Sequence, residues 1–165
     1  DADIKQRFEP LLLRAEQGEL DDWQTTPRGT LALIILLDQF PLNIYRRSAR
    51  AYDFEEHGVA CCLYGLEHQQ DQALSFVEKL FFYLPLEHSE NLDHQERCVM
   101  LFNQLVKESP ESLKPRAQGA LDYAIKHRDI VARFGHFPHR NEHLGRTSTS
   151  EEIAFLKDPS NRFGQ

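Results

Sequence analysis

Cysteine is scarce in this sequence, and its placement is unsuited to disulfide bonds. The 165 residues include Cys61, Cys62 and Cys98, an odd number with two of them adjacent and no Cys-x-x-Cys spacing. This pattern excludes a disulfide framework, and a reducing compartment is the simplest setting for it. We therefore predict a cytoplasmic protein whose thiols are small, buried apolar groups.

Long hydrophobic runs and an excess of positive charge are also lacking. The most apolar run covers residues 31–37, far short of the roughly 20 apolar residues that cross a bilayer. The chain has 19 basic and 26 acidic residues and a formal net charge of −7, whereas general nucleic-acid binders are usually basic. We expect neither a membrane nor a nucleic acid as partner, although this balance is compatible with a local anion site. The oligomeric state is left open.

No stretch alternates between apolar and polar residues as a half-buried strand does. The apolar run 31–37 therefore predicts a helix, because a lone strand would have nothing to pair with. Thr26 is a suitable N-cap, Pro27 fits the first helical position, and Pro41 is expected to end the helix. Because this segment is apolar on every side, we predict a buried central helix over about residues 27–40.

Apolar residues at helical spacing, with caps and prolines between them, predict further helices. The links between them are short and no low-complexity tract interrupts them, which indicates a single all-α domain over residues 1–165. In chain order, the first helix covers about residues 3–18 and the central helix is the second. The third runs from a cap at Ser48 or Asp53 to about residue 67, and the fourth covers about 72–83. The fifth runs from the loop 86–90 to about residue 107, the sixth from the prolines at 110 and 115 to Gly135, and the last covers 151–156.

Three predicted helices end in similar polar corners, each containing a proline. The corners are residues 39–43, 83–89 and 135–141. Their separations are unequal, so they are not a strict sequence repeat. Stacked antiparallel helix pairs would still bring the corners to one side. This is the architecture of a tetratricopeptide-like array, whose concave faces bind partners.

Three blocks of sequence resemble the signature blocks of one bacterial family. They are RGTLALIILLDQFP at 28–41, FYLPLEHSE at 82–90 and HRDIVARFGHFPHRN at 127–141, and the closing residues 163–165 resemble that family's usual end. On these blocks the chain resembles the domain-of-unknown-function family 924, which implies an all-helical fold of the tetratricopeptide-like class. Members usually carry an aromatic-rich N-terminal segment before the point where this chain begins, so we expect part of the domain to be missing here. The resemblance implies no reaction, substrate or cofactor.

The first corner contains the polar side chains of Asp38, Gln39 and Asn43. One interpretation is that they line a cleft. The other is structural: Asp38 pairs with an arginine such as Arg46 or Arg128, and Asn43 caps a turn. A buried carboxylate needs a partner in either case.

The second corner contains Glu87, His88, Ser89 and Glu90. A histidine beside carboxylates can act as a general base or as a metal ligand. Ser89 lacks the Gly-x-Ser-x-Gly context of an activated nucleophile. The alternative is a helix-entry loop in which Ser89 or Asn91 caps the helix and Glu90 and Asp93 lie in its first turn. Capping does not account for His88.

The predicted sixth helix carries His127, Arg128 and Asp129 in succession. Residues two apart do not face each other on a helix, so His127 and Asp129 cannot grip one atom together. Arg128 could bind a carboxylate or phosphate of a ligand. The alternative is that it braces Asp38 or Glu87 across the core.

The third corner is rich in histidine. His136, His139 and His143 suggest a weak zinc hypothesis, because the last two are four residues apart. No His-Glu-x-x-His pattern is present, and a further ligand would have to come from His88 or Glu87. We therefore predict no metal and no cofactor. Arg140 and Asn141, which follow a glycine and a proline, are better suited to contact an anion or a peptide.

Three functions are compatible with these residues. The leading hypothesis is a polar cleft that binds a small anionic ligand or a peptide terminus. The second is a hydrolase-type enzyme that uses His88 with Glu87 or Asp38, with or without a metal. The third is a scaffold in which acidic and basic stretches form internal salt bridges. The residues predicted to bind the ligand are Asp38, Asn43, His88, Arg128, Arg140 and Asn141.

Overall fold

A computed structural model describes residues 2–164 and contains helices and no strands in that range. The prediction of an all-α fold is confirmed, whereas the tetratricopeptide-like stacking of helix pairs stays a prediction. Short 3-10 turns cover Asp21–Thr25, Ala49–Tyr52, Gln70–Ala73, Pro138–Arg140 and Pro159–Arg162. The α-helices are α1 (Ala2–Glu16), α2 (Pro27–Ile44), α3 (Glu55–Glu67), α4 (Phe76–Phe82), α5 (Leu84–His88), α6 (Leu92–Glu108), α7 (Lys114–Phe134), α8 (Asn141–Leu144) and α9 (Ser150–Phe155).

Helix α2 is the central element, as its composition predicts. The Thr26 hydroxyl accepts a hydrogen bond from the Gly29 amide at 3.0 Å, and Pro27 occupies the first turn. Leu33, Ile34 and Leu37 are almost fully buried. The helix packs against α1, α3, α4 and α5, so apolar residues on several of its faces find protein neighbours.

The predicted end of α2 at Pro41 is wrong. The helix continues through Pro41 to Ile44, and the Tyr45 amide still donates to the Pro41 carbonyl at 2.9 Å. Proline removes one amide donor from a helix, but Pro41 is buried here and Phe40 stacks on Phe8 with ring centroids 4.5 Å apart. Packing therefore offsets the lost hydrogen bond, and Asp38 lies within the helix rather than at its end.

Helix α4 begins later than predicted. Residues 70–73 form a 3-10 turn, and Ser75 and Glu78 then form a reciprocal capping box at the start of α4. The left-handed stop of α7 at Gly135 (φ 76°) agrees with the prediction, and the Thr149 side chain caps α9 by accepting a hydrogen bond from the Glu152 amide. Helix α5 is one short turn that packs on α3, α6 and α7, and it carries Glu87 and His88 into the interior.

The three cysteines are buried and unpaired, as predicted. Within residues 2–164 no helix combines the length and apolarity that a membrane crossing requires.

Candidate functional site

Asp38 and His88 form a close pair between α2 and α5. Asp38 Oδ1 lies 2.8 Å from His88 Nδ1, and Asp38 Oδ2 accepts a hydrogen bond from the Gln39 side chain at 2.6 Å. The Asp38 side chain is 7% exposed. Burial disfavours the charged imidazole, but the charge and hydrogen bond of Asp38 outweigh it and raise the pKa of His88 above its ordinary value. The contact holds the ring with its proton on Nδ1.

The predicted arginine partners of Asp38 are wrong. Arg46 is exposed. Arg128 lies 2.8 Å from its neighbour Asp129 and 3.6 Å from Glu96 on α6. Its side chain therefore points away from Asp38 and does not brace the core. The partner of Asp38 comes instead from the second corner, because α5 packs directly on α2.

Glu87 and His127 form a second buried contact, between α5 and α7. Glu87 Oε1 lies 3.4 Å from His127 Nδ1, and both side chains are about 95% buried. His127 Nδ1 also lies 2.8 Å from the Tyr123 carbonyl oxygen, to which it donates. No lysine or arginine of residues 2–164 forms an ion pair with Glu87.

The titration of these two groups follows from their burial. Burial raises the pKa of Glu87 to about 7, with Asp38 adding to the shift and His88 opposing it. Burial, together with the nearby charge of His88, lowers the pKa of His127 to about 3. His127 is therefore neutral at physiological pH, while Glu87 titrates close to it.

Glu87, His88 and His127 are close enough to bind one ion. Each offers a ligand atom, and these atoms lie within 4.8 Å of one another; in the part of the chain that the structure describes, no other three His, Cys, Asp or Glu side chains do so. The predicted set of His136, His139 and His143 does not form such a group. His136 Nε2 is instead 2.9 Å from Glu152, because α9 packs beside the third corner.

A small cavity, which we call the histidine cavity, lies beside these groups and has a volume of about 150 Å³. Its walls are mostly aromatic. Phe163 stacks on His127 with ring centroids 4.3 Å apart, and Phe137 meets the same ring edge-on at 5.5 Å. The lining residues are Leu42, Tyr52, His88, Tyr123, His127, Phe137, His139, Arg140 and Phe163.

Several buried polar atoms at the histidine cavity lack a protein partner. Five such side-chain atoms occur among the described residues, and three of them belong to cavity-lining residues: Tyr52 Oη, His139 Nδ1 and Arg140 Nε. Burial, aided by Arg140, lowers the pKa of His139 to about 3, so its ring is neutral. Buried polar groups are normally satisfied, so this concentration marks the cavity as unusual.

The two terminal nitrogens of the Arg140 guanidinium, unlike Nε, have hydrogen-bond partners in the protein. Nη1 lies 2.7 Å from Glu55, and Nη2 donates to the His88 carbonyl oxygen at 2.5 Å. The guanidinium also lies over the Tyr52 and Phe137 rings, 4.5 and 4.8 Å from their centroids. Arg140 thus joins the third corner to the second.

Asn141 and Arg146 complete what we call the arginine network, formed by Arg140, Arg146, Glu55, Glu90, Asn141 and Glu152. Arg146 binds both carboxylate oxygens of Glu90 at 2.8 and 2.9 Å. Asn141 donates to Glu152 at 2.5 Å and accepts from Arg146 at 2.9 Å. Burial works against ionised Glu90, but these arginines hold the pKa of its carboxyl below the usual value. Every member has a partner.

A second cavity, which we call the basic cavity, has a volume of about 330 Å³ and shares His139 with the histidine cavity. Within residues 2–164, neither Arg47 nor Arg162 forms an ion pair, and Arg162 Nε donates to the Leu156 carbonyl oxygen. The basic cavity is lined by Arg47, Pro138, His139, Glu142, His143, Ser148, Leu156 and Arg162.

The predicted ligand-binding residues therefore divide into three groups. His88 lines the histidine cavity with Arg140, and Asp38 supports His88 from behind. Asn141 belongs to the arginine network. Asn43 is exposed on the last turn of α2, and Arg128 is on the outer side of α7.

Sequence reasoning considered His127 but did not count it among the site residues, and it missed Tyr52. The signal for His127 was present, because it continues the buried stripe of α7 through Leu121, Ala124 and Val131 at helical spacing. A histidine in an apolar stripe must find a polar partner in the interior. Tyr52 lies in a 3-10 turn, and no local pattern singled it out.

The comparisons with known proteins agree on the family and the fold. The family model described as bacterial protein of unknown function (DUF924) matches residues 1–160. The solved structure of ATU0120, a protein of unknown function from Agrobacterium tumefaciens, is 36% identical, with a TM-score of 0.82, and the match covers 93% of this chain and 81% of that one. No curated protein matches this chain significantly. The chain belongs to the DUF924 family of bacterial proteins.

Proposed function

We propose that this protein binds a small anionic molecule in the histidine cavity. The observation that carries the proposal is that three residues lining one cavity, Tyr52, His139 and Arg140, each bury a polar atom that has no protein partner. Two of these, the Tyr52 hydroxyl and the Arg140 Nε–H, are hydrogen-bond donors. Leaving a buried donor without a partner costs about 1–3 kcal/mol, and a carboxylate or phosphate oxygen would remove that cost.

Donor geometry rather than net charge would select the ligand. The charge of Arg140 is balanced by Glu55 at 2.7 Å and Glu90 at 3.7 Å. Burial opposes a positive charge on the His88 ring, but the adjacent Asp38 carboxylate favours it and raises the pKa of His88. Asp38 would orient His88 without contacting the ligand, and Asn43, Arg128 and Asn141 take no part in this proposal.

The basic cavity would hold a second part of a larger ligand. It meets the histidine cavity at His139 and carries two arginines against the single carboxylate of Glu142. Its volume of about 330 Å³ is within the range of roughly 300–1,000 Å³ that small-molecule sites occupy. A molecule with two anionic groups, or a peptide terminus, matches this pair of cavities.

Titration with simple anions tests the proposal. We expect phosphate, acetate or a short peptide with a free carboxyl terminus to shift the ring resonances of His88 and His139 in NMR spectra. Tyr52→Phe should weaken the affinity for the anion that binds by roughly 10- to 100-fold, which corresponds to a hydrogen bond to a charged group. Tyr64→Phe, at an exposed tyrosine, is the matched control and should change nothing. Equal affinity in both variants would contradict the proposal.

A hydrolase-type enzyme is the second candidate, and the Asp38–His88 distance of 2.8 Å is the observation that favours it. A carboxylate that holds an imidazole by Nδ1 leaves Nε2 available as a general base or acid. Such a role predicts that Asp38→Asn lowers turnover of ester or amide substrates and shifts the pH profile. His57→Asn, which removes an imidazole 3.5 Å from Asp21 elsewhere, should leave both unchanged. Turnover that is insensitive to Asp38→Asn would exclude this mechanism.

A further inference from the structure

We propose that Glu87, His88 and His127 form a binding site for a divalent zinc ion. Two imidazoles and one carboxylate are a ligand set that zinc accepts, with a fourth position left for water or a bound molecule. The three ligand atoms lie within 4.8 Å of one another. This inference does not depend on the proposed anion binding.

The charge balance around Glu87 is the first argument. Its side chain is 4% exposed, and within residues 2–164 no lysine or arginine lies within 4.0 Å of it. Burying a carboxylate without a cation is costly. His127 is the nearest titratable partner, at 3.4 Å, and it is already committed to the Tyr123 carbonyl oxygen. A divalent cation would supply the missing positive charge.

The outer contacts of the two histidines are the second argument. A metal-binding histidine usually donates its other ring N–H to a carboxylate or a backbone carbonyl, which fixes the tautomer and the ring orientation. His88 Nδ1 faces Asp38 at 2.8 Å, and His127 Nδ1 faces the Tyr123 carbonyl oxygen at 2.8 Å. Both rings therefore keep Nε2 unprotonated when neutral, so each presents a lone pair there.

The surroundings of the cluster are the third argument. Glu87 and His127 are buried, while His88 and His127 both line the histidine cavity. Phe163 stacks on the His127 ring and limits its rotation. Zinc–ligand distances of about 2.0–2.2 Å place tetrahedral ligands roughly 3.4 Å apart. The three ligand atoms, which lie within 4.8 Å of one another, would therefore draw closer on binding by up to about 1.4 Å for each pair.

Zinc titration of the metal-free full chain tests this site. Protein prepared without a histidine tag is stripped with a chelator, dialysed and titrated with zinc sulfate by calorimetry, and elemental analysis counts the bound metal. We expect one zinc per chain. Glu87→Gln, which keeps the shape of the side chain, should weaken the affinity by more than about 100-fold, and Asp38→Asn by roughly 10- to 100-fold. His57→Asn should leave it unchanged.

Cobalt substitution provides a second readout. Cobalt(II) in a tetrahedral site should give visible absorption bands that Glu87→Gln abolishes, while near-UV circular dichroism verifies that the variant is folded. Zinc stoichiometry near zero would overturn the proposal, as would equal affinity in the parent and Glu87→Gln. Phosphate titration of the same metal-free protein reports anion binding separately, so failure of one proposal is distinguishable from failure of the other.

Discussion

The arginine network and the histidine cavity are both built from buried polar side chains, but they differ in how completely these are paired. In the network, Arg146 binds Glu90 through two contacts, and Asn141 bridges Arg146 and Glu152. At the cavity, Tyr52 and His139 each bury an atom with no protein partner, and Glu87 has no arginine or lysine within ion-pair distance in residues 2–164. The two regions meet at Arg140.

This difference separates polar side chains that stabilise the fold from polar side chains that could bind a ligand. A satisfied polar network rigidifies and specifies one arrangement of the elements it joins. The arginine network joins α3, the segment between α5 and α6, the third corner and α9 in this way. An incompletely satisfied cluster lowers stability and persists where function requires it. The comparison therefore predicts stability effects of opposite sign in the two regions.

The largest effect is expected in the arginine network. Arg140→Met should lower the free energy of unfolding by about 3–5 kcal/mol, because it leaves Glu55 buried without its partner. Urea denaturation measures this change. Arg133→Met is the control, since its contact with Glu151 at 2.6 Å lies between side chains that are 51% and 63% exposed, where a pair contributes about 0–1 kcal/mol. Equal losses in the two variants would contradict a structural role for the network.

The second largest effect is expected at Glu87, where substitution should raise the free energy of unfolding. Its pKa in the folded protein is about 7, above roughly 4.3 for a glutamate in an unfolded chain. The folded state therefore binds this proton more tightly. The cost of ionising Glu87 is absent below about pH 4, grows between about pH 4 and 7, and reaches about 4 kcal/mol above that range.

Glu87→Gln removes this cost. We expect the metal-free variant to be more stable than the parent by about 3 kcal/mol at pH 8 and nearly equal to it at about pH 4. Glu87 is the only titratable group that differs between the two proteins, so the difference between the two curves reports the ionisation of Glu87 and its effect on neighbouring groups. Glu96→Gln, at an exposed carboxylate 3.6 Å from Arg128, should show no such pH dependence. A variant that is less stable than the parent at pH 8 would mean that Glu87 has a cationic partner.

The sequence predicts the elements of this fold better than the contacts at its site. Thr26, Thr149 and Gly135 act through neighbours within a few residues, so their roles as caps can be derived locally. Asp38 and His88 were both recognised as candidates, but they are 50 residues apart, and nothing local relates them. Helix α2 passes through Pro41 because burial of that residue offsets its lost hydrogen bond, and this is a property of the packed core.

His127 shows the same limit at the site itself. Spacing along α7 correctly excludes a shared contact with Asp129, but the relevant partner, Glu87, is on α5. The ion pairs of the arginine network could not be predicted from the sequence either, because Arg146 and Glu90 are 56 residues apart. Charges of opposite sign in the sequence are compatible with internal pairing and with an open cleft. Only their distances distinguish the two, and in this network they favour pairing.

The smallest effect is expected at two tyrosines whose hydroxyl groups are buried, Tyr83 and Tyr52. Tyr83 donates its hydroxyl hydrogen to Asp71 at 2.7 Å, whereas the Tyr52 hydroxyl has no partner in the described residues. Tyr83→Phe should lower the free energy of unfolding by about 1.5–3 kcal/mol, because it removes a hydrogen bond to a charged group.

Tyr52→Phe should instead leave the stability of the ligand-free protein unchanged or raise it by up to about 1 kcal/mol, because it removes an unsatisfied buried group. Urea denaturation of both variants gives the comparison, with the same curves repeated in saturating phosphate or peptide. The anion should stabilise the parent more than Tyr52→Phe, because only a folded site with the hydroxyl gains the full binding free energy. If Tyr52→Phe lowered the free energy of unfolding as much as Tyr83→Phe, the Tyr52 hydroxyl would have a structural role and a hydrogen-bond partner.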